Sequence, residues 1–542
     1  MKKLSDIKSF VFKPIKRSIK NNKLLESNLI FFMALIIYTI SAILLFNYYQ
    51  YIIFSDGLSY IYISQEYIIP SFSNAINGYW SPLFSWMLAP FLFFGSTKMY
   101  IIHSAKILSF IIGFFTLIGV KFLFSKFISR NLSNISVGVM IPTVLYFAFY
   151  LITPDLLIIC LILFYLGILF GPKYSFRLRN GLVCGFIGAL AYFSKTFAFI
   201  FFILHFIIFN TIFYFNEFDY EKKNRIKKNL LLGLTVFLVL SGIWIVLISD
   251  KYHEITIGTS GTYNQNLVGP ASQGHPPLYQ GLLAPPNKYA LSSWEDPSYF
   301  KMDSWNPLGS IKSFIFELNI IWNNIIKTNI ILLEFSILSV LILIATLIFI
   351  FKYKKDEISR RKLIYLLITI AIYSGGYSLI YVESRYLLII SVLILLMGVY
   401  LIETFYKNGV FKLNIRILLL LFLALSFLIM PINELDDSIN IGKTFHDIGY
   451  NLKDNYSIHG NIASNSQWYV SLILAYYLND KYYGQTKKDT SLKDLQTELK
   501  NDNIDYYFEW GFSNQTDLPY KEITGGKLPF HLKIYSVKQK IN

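Results

Sequence analysis

The chain has 542 residues, of which 54% are hydrophobic and only 15% are charged, and its mean hydropathy is +0.47. Soluble domains carry about 25% charged residues, so this composition excludes an ordinary soluble protein and predicts a polytopic membrane protein. The net charge of +16 does not indicate nucleic-acid binding, because the basic residues alternate with apolar runs instead of clustering on one solvated face.

The N-terminal residues 1–27 are predicted to be a basic cytoplasmic segment. The first 23 residues contain eight Lys or Arg and one Asp, and an apolar run follows at 28–48. This run is too long for a signal-peptide core and has no small-residue cleavage site. We therefore expect a retained first span whose N-terminus stays on the cytoplasmic side, as basic loops do.

Ten more apolar runs of suitable length follow along the chain. Together with the first they predict a mainly α-helical bundle of about 11 spans, the others being 101–124, 134–152, 155–171, 180–194, 196–215, 230–249, 328–351, 363–381, 386–404 and 413–431. Basic loops follow every second crossing, which places all of them in the cytoplasm. These loops are 126–131, 173–180, 221–228, 352–362 and 406–416.

The segment 80–95, WSPLFSWMLAPFLFFG, is the exception to this alternation. It is short and contains two prolines and two tryptophans, which favours an interfacial or re-entrant helix with indoles at the headgroup level. If it crossed the membrane instead, every later loop would change sides.

With 80–95 on the surface, the predicted transmembrane domain is 28–432, with outer loops 51–100 and 250–327. The remainder, 433–542, has the composition of a soluble domain. Helical patterns at 441–456, 467–480 and 491–501 alternate with β-like runs at 461–464, 504–510 and 531–537. This pattern predicts a small extracytoplasmic α/β domain.

Five charged residues are predicted near the outer ends of the membrane segments: Asp56, Asp155, Lys195, Glu383 and Arg385. Ionisable groups within spans are costly, so they are candidates for function. Each also has a structural interpretation. Asp56 can be a helix stop before a glycine, Asp155 can stabilise a helix start, Lys195 can extend to the headgroups, and Glu383 can form a local ion pair with Arg385. His205 and Glu334 are predicted to be polar contacts inside the bundle.

Five motifs in order resemble the successive signatures of the GT-C glycosyltransferases. They are SDGLSYIYISQEYI, GYWSPLFSWMLAPF, TPDLLIICLILFYLGIL, GALAYFSKTFAFIFF and ESRYLLII. The resemblance spans about residues 25–405. Within this family, the chain is most similar to the branch containing protein O-mannosyltransferases and the lipid A aminoarabinose transferase. The lysine motif reads Ser194-Lys195-Thr196-Phe197 and lacks the usual glycine, and the last motif ends without proline. These departures leave the donor sugar and the anion contacts open.

The resemblance implies transfer of a sugar from a polyprenyl-phosphate donor to an acceptor hydroxyl on a glycan, lipid or protein, with inversion at the anomeric carbon. Such transfer needs a base for the hydroxyl and cations for the departing phosphate. Asp56 is the candidate base, and Lys195 and Arg385 are the candidate phosphate contacts. Supporting roles are assigned to Asp155, Glu383, Tyr60 and Glu66.

The large outer loop, rich in Trp, Tyr, Pro and Asn, either caps the site or anchors the chain at the membrane. Its possible site contacts are His275, Trp294 and Glu295. A zinc site at His275 with Glu295 is one alternative, and a structural histidine is the other. We expect no required metal and no cofactor beyond the lipid-linked sugar.

Two other functions fit the sequence. A lipid-linked glycan transporter or flippase would also have many spans, but it predicts polar residues in both halves of the bilayer and inverted repeats. A non-catalytic membrane subunit is the third possibility. The localisation expected in every case is the cell (plasma or inner) membrane.

Overall fold

A computed structural model describes residues 28–69, 72–353, 356–488, 490–511 and 518–540. The predicted cytoplasmic segment 1–27 lies outside the described residues. Ten helices precede residue 253 in the described chain: α1 (Asn28–Tyr49), α2 (Ser55–Glu66), α3 (Phe72–Ala75), α4 (Leu83–Leu88), α5 (Lys98–Phe124), α6 (Arg130–Tyr150), α7 (Asp155–Leu169), α8 (Arg179–Ser194), α9 (Phe197–Asn216) and α10 (Tyr220–Tyr252). Nine more follow: α11 (Ser260–Leu267), α12 (Ile311–Phe335), α13 (Ser339–Lys352), α14 (Glu357–Ser378), α15 (Ser384–Lys407), α16 (Leu413–Asp437), α17 (Lys443–Tyr456), α18 (Trp468–Leu478) and α19 (Leu492–Asn501).

The long helices confirm the predicted multi-span membrane bundle. Seven of the described helices, α1, α5, α6, α9, α10, α15 and α16, are long and apolar enough to cross a membrane, and an eighth crossing results if α12 and α13 form one bent span. Helices also occupy the other predicted spans, although α7 and α8 have only 15 and 16 residues. The protein is therefore a multi-pass membrane protein.

The predicted span at 328–351 is not one continuous helix. Helices α12 and α13 meet at an angle of 107°. The break lies at Ser336, whose backbone is extended and whose hydroxyl lies 2.7 Å from the hydroxyl of Ser426 in α16. The same serine oxygen accepts a hydrogen bond from the Leu338 amide. The predicted outer loop is also shorter than expected, because α12 already begins at Ile311.

The segment 80–95 forms α4 followed by a 3-10 helix at Ala89–Phe94. These twelve residues rise about 20 Å, whereas the hydrocarbon core is about 30 Å thick. The length agrees with the interfacial interpretation, in which this segment does not cross.

The C-terminal region confirms the predicted α/β domain. Within the described residues its sheet has five strands: β1 (Asn461–Ser464), β2 (Lys481–Gln485), β3 (Tyr506–Glu509), β4 (Tyr520–Glu522) and β5 (Lys533–Lys540). The order is β2-β1-β3-β5-β4, with β1 parallel to β2 and β3, and with β5 antiparallel to β3 and β4. The sequence patterns predicted β1, β3 and β5 but neither β2 nor β4. Helix α16 also extends to Asp437, beyond the predicted boundary at 432.

The α/β domain packs directly on one end of the bundle. The Tyr469 hydroxyl donates to the Ile53 carbonyl at 2.7 Å, and the Tyr476 hydroxyl donates to the Lys98 carbonyl at 2.8 Å. The loop before α12 lies along β2, where the Tyr482 amide donates to the Leu291 carbonyl at 2.8 Å. We call this end of the bundle the domain-bearing end.

The predicted cytoplasmic loops meet at the opposite end. Lys362 Nζ donates to the Lys126 carbonyl at 3.2 Å, which joins the N-terminal part of α14 to the loop after α5. Arg225 Nη1 donates to the Phe176 carbonyl at 3.3 Å, which joins α10 to the loop after α7. The basic loops therefore lie far from the domain-bearing end, as the charge alternation predicts.

Candidate active site

Asp56 lies in the first turn of α2, where the positive end of the helix dipole favours a carboxylate. The next residue, Gly57, packs against the segment between α6 and α7. A Cβ atom at Gly57 would lie 3.1 Å from Ile152 Cβ and 3.2 Å from the Ile152 carbonyl oxygen. The missing side chain thus lets α2 approach the segment that leads to Asp155. The Asp56 side chain keeps 20% of its surface exposed.

Arg385 in the first turn of α15 joins three carboxylates. Its Nη1 donates to Asp56 Oδ2 at 2.8 Å, and its Nε donates to Glu383 Oε2 at 2.5 Å. Nη1 also lies 3.9 Å from Asp155 Oδ2. Arg385 therefore connects the start of α15 to the starts of α2 and α7.

Asp155, the first residue of α7, binds side chains through both of its oxygens. Lys195 Nζ donates to Oδ1, and Thr153 Oγ1 donates to Oδ2 at 2.6 Å. The Asp155 side chain is only 2% exposed and that of Lys195 is 18% exposed. The ammonium of Lys195 thus points into the bundle towards a carboxylate, and it does not extend to the headgroups.

An aromatic stack lies beside Lys195. Its Nζ is 4.0 Å from the ring centroid of Tyr386, within the range of a cation–π contact. The Tyr386 ring stacks on Tyr377 at 4.7 Å, and Tyr377 stacks on Phe197 of α9 at 3.9 Å. This stack leads from the charged residues into the apolar part of the bundle.

Most of these residues, although not Glu383, line a cavity of about 370 Å³. Its polar lining includes Asp56, Tyr60, Asp155, Lys195, Ser260, Asn264 and Arg385, and its apolar lining includes Phe197, Ile200, Ile257, Gly376, Leu379 and Ile380. Volumes of this order are typical of small-molecule sites. Burial, together with the nearby carboxylates of Asp155 and Asp56, raises the pKa of the Tyr60 phenol well above its usual value, so this phenol remains protonated.

Trp294 is the outer-loop residue that touches the charged cluster. Its Nε1 donates to Asp56 Oδ1 at 3.3 Å, and its side chain is buried. Its carbonyl accepts hydrogen bonds from Trp80 Nε1 at 2.9 Å and from Ser59 Oγ at 3.2 Å. The loop therefore covers the site at this point, and Trp294 does not lie at the protein surface.

Glu66, His275 and Glu295 were also predicted at the site, but they do not line the cavity. The ten residues from Asp56 to Glu66 span about 15 Å of helix, and Glu66 Oε1 accepts a hydrogen bond from Asn287 Nδ2 at 2.7 Å. His275 Nδ1 lies 3.2 Å from the Tyr263 hydroxyl, and burial lowers the pKa of this histidine. Glu295 contributes to the turn at 292–295 instead.

Glu295 forms a capping box with Ser292, whose amide donates to Glu295 Oε2 at 2.6 Å. The side chain is buried, and its second oxygen has no hydrogen-bond partner among the described residues. Burial raises the pKa of Glu295 to about 8. Its carboxyl is therefore a protonated structural group at neutral pH.

Of the two polar residues predicted inside the bundle, His205 is confirmed and Glu334 is wrong. The ring nitrogens of His205 lie 2.8 Å from the Tyr165 hydroxyl and 3.0 Å from the Thr369 hydroxyl. Glu334 is exposed because α12 turns its neighbours Ile331 and Phe335 towards the bundle, which leaves the carboxylate on the opposite side.

Sequence reasoning missed the aromatic part of the site, namely Tyr377, Tyr386 and Phe197, and also Thr153. Tyr386 and Thr153 are close in sequence to the charged residues, and this proximity was the available signal. Nothing in the sequence pattern distinguishes Tyr377 from the many other aromatic residues of the spans.

No known protein family matches the sequence, and no curated protein sequence matches it. Solved structures do match. The oligosaccharyltransferase of Archaeoglobus fulgidus in the apo form aligns with a TM-score of 0.52 at 10% identity, over 89% of this chain and 69% of that one. ArnT from Cupriavidus metallidurans in the apo state aligns with a TM-score of 0.52 at 11% identity, over 93% of this chain and 97% of that one.

The chain has the GT-C fold. At such low identity the likeness shows the fold alone, and this fold confirms the architecture expected from the motifs. In the GT-C fold of this chain, the charged cluster lies at the domain-bearing end, where α2, α7 and α15 begin and α8 ends.

Proposed function

We propose that the protein is a membrane glycosyltransferase that moves a sugar from a polyprenyl-phosphate donor to an acceptor hydroxyl. The observation that carries this proposal is the shared cavity, in which two carboxylates and two cations meet an apolar branch formed by α9 and α14. A lipid-linked sugar likewise has a polar part and an apolar part, since its sugar and phosphate are polar and its isoprenoid chain is apolar. The GT-C fold supports this assignment.

Asp56 is the proposed general base. It takes the proton of the acceptor hydroxyl while the oxygen of that hydroxyl attacks the anomeric carbon. The bond from the anomeric carbon to the phosphate oxygen breaks, and its electron pair leaves with the lipid phosphate. This single displacement inverts the anomeric centre and forms no covalent sugar intermediate.

Lys195 and Arg385 are the proposed contacts of the leaving phosphate, whose negative charge grows as the bond breaks. Arg385 uses Nη1 for Asp56 and Nε for Glu383, and an arginine has five N–H donors. The donors on Nη2 are left for a phosphate, apart from a long contact of 3.4 Å to the Tyr386 hydroxyl. Fixed donors aimed at developing charge are often the largest catalytic contribution.

The charge of the cluster constrains the roles further. Three carboxylates (Asp56, Asp155 and Glu383) surround two cations, which leaves one net negative charge. A phosphate therefore binds here only if it shares the cations with these carboxylates. We assign Asp155 and Glu383 to holding Lys195 and Arg385 in place, and Asp56 to the acceptor.

A divalent metal does not fit the residues of the site. Oxygen-ligated metals require several carboxylate or carbonyl oxygens. Among the described residues, no three His, Cys, Asp or Glu side chains are arranged to hold a metal ion. At the cluster, the carboxylates are paired with Lys195 and Arg385 instead. We therefore propose a reaction without a required metal.

We further propose that the site faces the extracytoplasmic side of the cell membrane. The support is the separation between the basic loops and the domain-bearing end, because basic loops stay in the cytoplasm. The acceptor would then approach from the side of the α/β domain.

A transporter or flippase remains the rival assignment, and the glycans of the cell distinguish the two. Surface glycans and glycolipids would be compared by mass spectrometry in cells with the gene, without it, and with the Asp56→Asn variant. Our proposal predicts that one glycan loses a single type of sugar without the gene and is not restored by Asp56→Asn. Unchanged glycans, or full restoration by the variant, would contradict it.

A further inference from the structure

Three large apolar side chains are exposed on the α/β domain near its junction with the bundle. Ile439 is 43% exposed, Ile441 is 40% exposed and Phe530 is 55% exposed. Single exposed apolar residues are common on protein surfaces, so their positions must show whether they act together. Two of them lie in the turn between α16 and α17, and the third lies in the loop before β5.

The apolar surface of α16 continues into this turn. Exposed apolar side chains recur along α16 at helical spacing, at Leu418, Phe422, Leu425, Ile429 and Ile432. Such a stripe on a membrane helix is typical of a surface that faces lipid. Helix α16 ends at Asp437, only two residues before Ile439.

The turn also lies against the end of the first span. The Asn440 amide donates to the Tyr48 carbonyl of α1 at 2.8 Å. At Gly442, where φ is +85°, an added Cβ would lie 2.4 Å from the Tyr51 carbonyl oxygen. Two membrane helices, α1 and α16, therefore end beside Ile439 and Ile441, which places these residues at the membrane boundary.

Phe530 is held at the same junction by an unusual backbone. Phe530 and His531 both have positive φ, at 60° and 52°, a conformation that costs about 1–2 kcal/mol for a residue other than glycine. The Phe530 ring lies 6.1 Å from that of Phe445 in the first turn of α17. Strained backbone persists where the surrounding structure imposes it, and here its result is an exposed phenyl ring beside the turn.

We propose that Ile439, Ile441 and Phe530 form a membrane-contact patch that seats the α/β domain on the lipid bilayer. The occupant of the patch is the lipid surface of the leaflet at the domain-bearing end, because the patch continues the lipid-facing stripe of α16. At the membrane boundary, aromatic and aliphatic side chains leave water and become buried between the lipid headgroups and the acyl chains. Lys443 and Lys527 are exposed and lie two and three residues from Ile441 and Phe530 in the sequence, and such lysines suit a headgroup environment.

This seating has a consequence for the candidate site. Helix α18 of the α/β domain brings the Trp468 ring to 5.9 Å from Trp294, and Trp294 donates to Asp56. A domain fixed on the bilayer therefore also fixes the side of the cavity that holds Asp56.

The test is the depth of a spin label at Phe530. The two native cysteines, Cys160 and Cys184, are buried, so a Phe530→Cys variant of the full chain can be labelled with a nitroxide at one site. The protein is placed in lipid nanodiscs, and the accessibility of the label to oxygen is compared with its accessibility to a water-soluble nickel chelate. Lys493→Cys on α19 is the control. Helix α19 packs through Leu495 and Leu499 on the face of the sheet opposite to α17 and α18, so an exposed label on it should lie in water.

The proposal predicts that oxygen accessibility exceeds nickel accessibility at position 530 and that the order is reversed at position 493. The same result is expected for Ile441→Cys, which replaces the first variant if that one does not fold. A label at 530 that is as accessible to nickel as the control would overturn the proposal. Protection from both reagents would also overturn it, because a protein surface would then cover the patch. Neither outcome depends on glycosyltransferase activity.

Discussion

Replacing Asp56 by Asn is the sharpest test of the proposed chemistry. The amide is nearly the same size, so it can stay beside Arg385 and Trp294, but it cannot accept the acceptor proton at neutral pH. A general base contributes about 10²–10⁴-fold to the rate, or about 3–5 kcal/mol of activation free energy. We therefore expect kcat to fall by two to four orders of magnitude.

The effect of Asp56→Asn on folding should be much smaller. The pair between Asp56 Oδ2 and Arg385 Nη1 is 2.8 Å long, but both side chains keep about a fifth of their surface exposed. Ion pairs with this much solvent contribute about 1 kcal/mol or less to the free energy of unfolding. The variant should thus fold, and its loss of rate would report on chemistry.

Glu383→Gln is the matched control for this variant. Glu383 also pairs with Arg385, at 2.5 Å, and its removal takes away the same charge, yet Glu383 does not line the cavity. Both variants are compared by the release of lipid phosphate from a labelled polyprenyl-phosphate sugar. We expect Glu383→Gln to lose less than about 10-fold, which is below the smallest contribution of a general base, about 10²-fold. Equal losses in both variants would refute Asp56 as the base and indicate that only the charge around Arg385 matters.

Three further predictions concern backbone fit and pH. Gly376→Ala adds a Cβ that would lie 2.6 Å from an aromatic ring in the apolar branch of the cavity, so it should raise the KM for the lipid donor. Gly57→Ala should lower kcat by up to about 10²-fold, because its new methyl group meets Ile152 and displaces the start of α2. Glu295 has its pKa raised to about 8, so the folded protein holds a proton that the unfolded chain releases near pH 4.5. The free energy of unfolding should therefore fall as pH rises from about 4.5 to 8, by up to about 5 kcal/mol, and Glu295→Gln should remove this loss.

Each of these variants has a control. Gly375→Ala changes the neighbouring residue, but its new methyl group meets no atom within 4 Å. If it raised the KM for the lipid donor as much as Gly376→Ala does, the apolar branch would not be where the donor lipid binds. Gly242→Ala on α10 is equally free of contacts and should leave kcat unchanged. Thermal unfolding in detergent at pH 5 and pH 8.5 measures the effect of Glu295. If wild type and Glu295→Gln respond identically, this carboxyl is not the protonated group that we describe.

The charged part of the site was predictable because it follows from span boundaries. Asp56, Asp155, Lys195 and Arg385 all lie at ends of apolar runs, and the alternation of basic loops puts these ends on one side. Once they share a depth, opposite charges pair across helices, as Lys195 does with Asp155. The α/β domain was predictable for a similar reason, since its helical and β-like patterns alternate clearly.

The loop contacts were less predictable because tertiary partners set them. Trp294 reaches Asp56 since its loop lies along the edge of β2, a strand that the sequence pattern did not reveal. Glu66 and Glu295 instead bind the side chain of Asn287 and the amide of Ser292.

The break between α12 and α13 depends on a tertiary partner in the same way. It requires Ser426 of another helix to meet the hydroxyl of Ser336. The hydropathy of a sequence window contains no information about such a partner, so it predicted a span at 328–351 without the break.

The most direct test of the central claim is turnover by the purified protein. Vesicles containing the protein would be supplied with a panel of labelled polyprenyl-phosphate sugars and a cell-envelope extract as acceptor. Free polyprenyl phosphate and labelled product would then be measured together. We expect that one donor yields equal amounts of lipid phosphate and glycosylated product with wild type, and neither with Asp56→Asn. Donors that stay intact while crossing the vesicle membrane would contradict this expectation and identify a transporter instead.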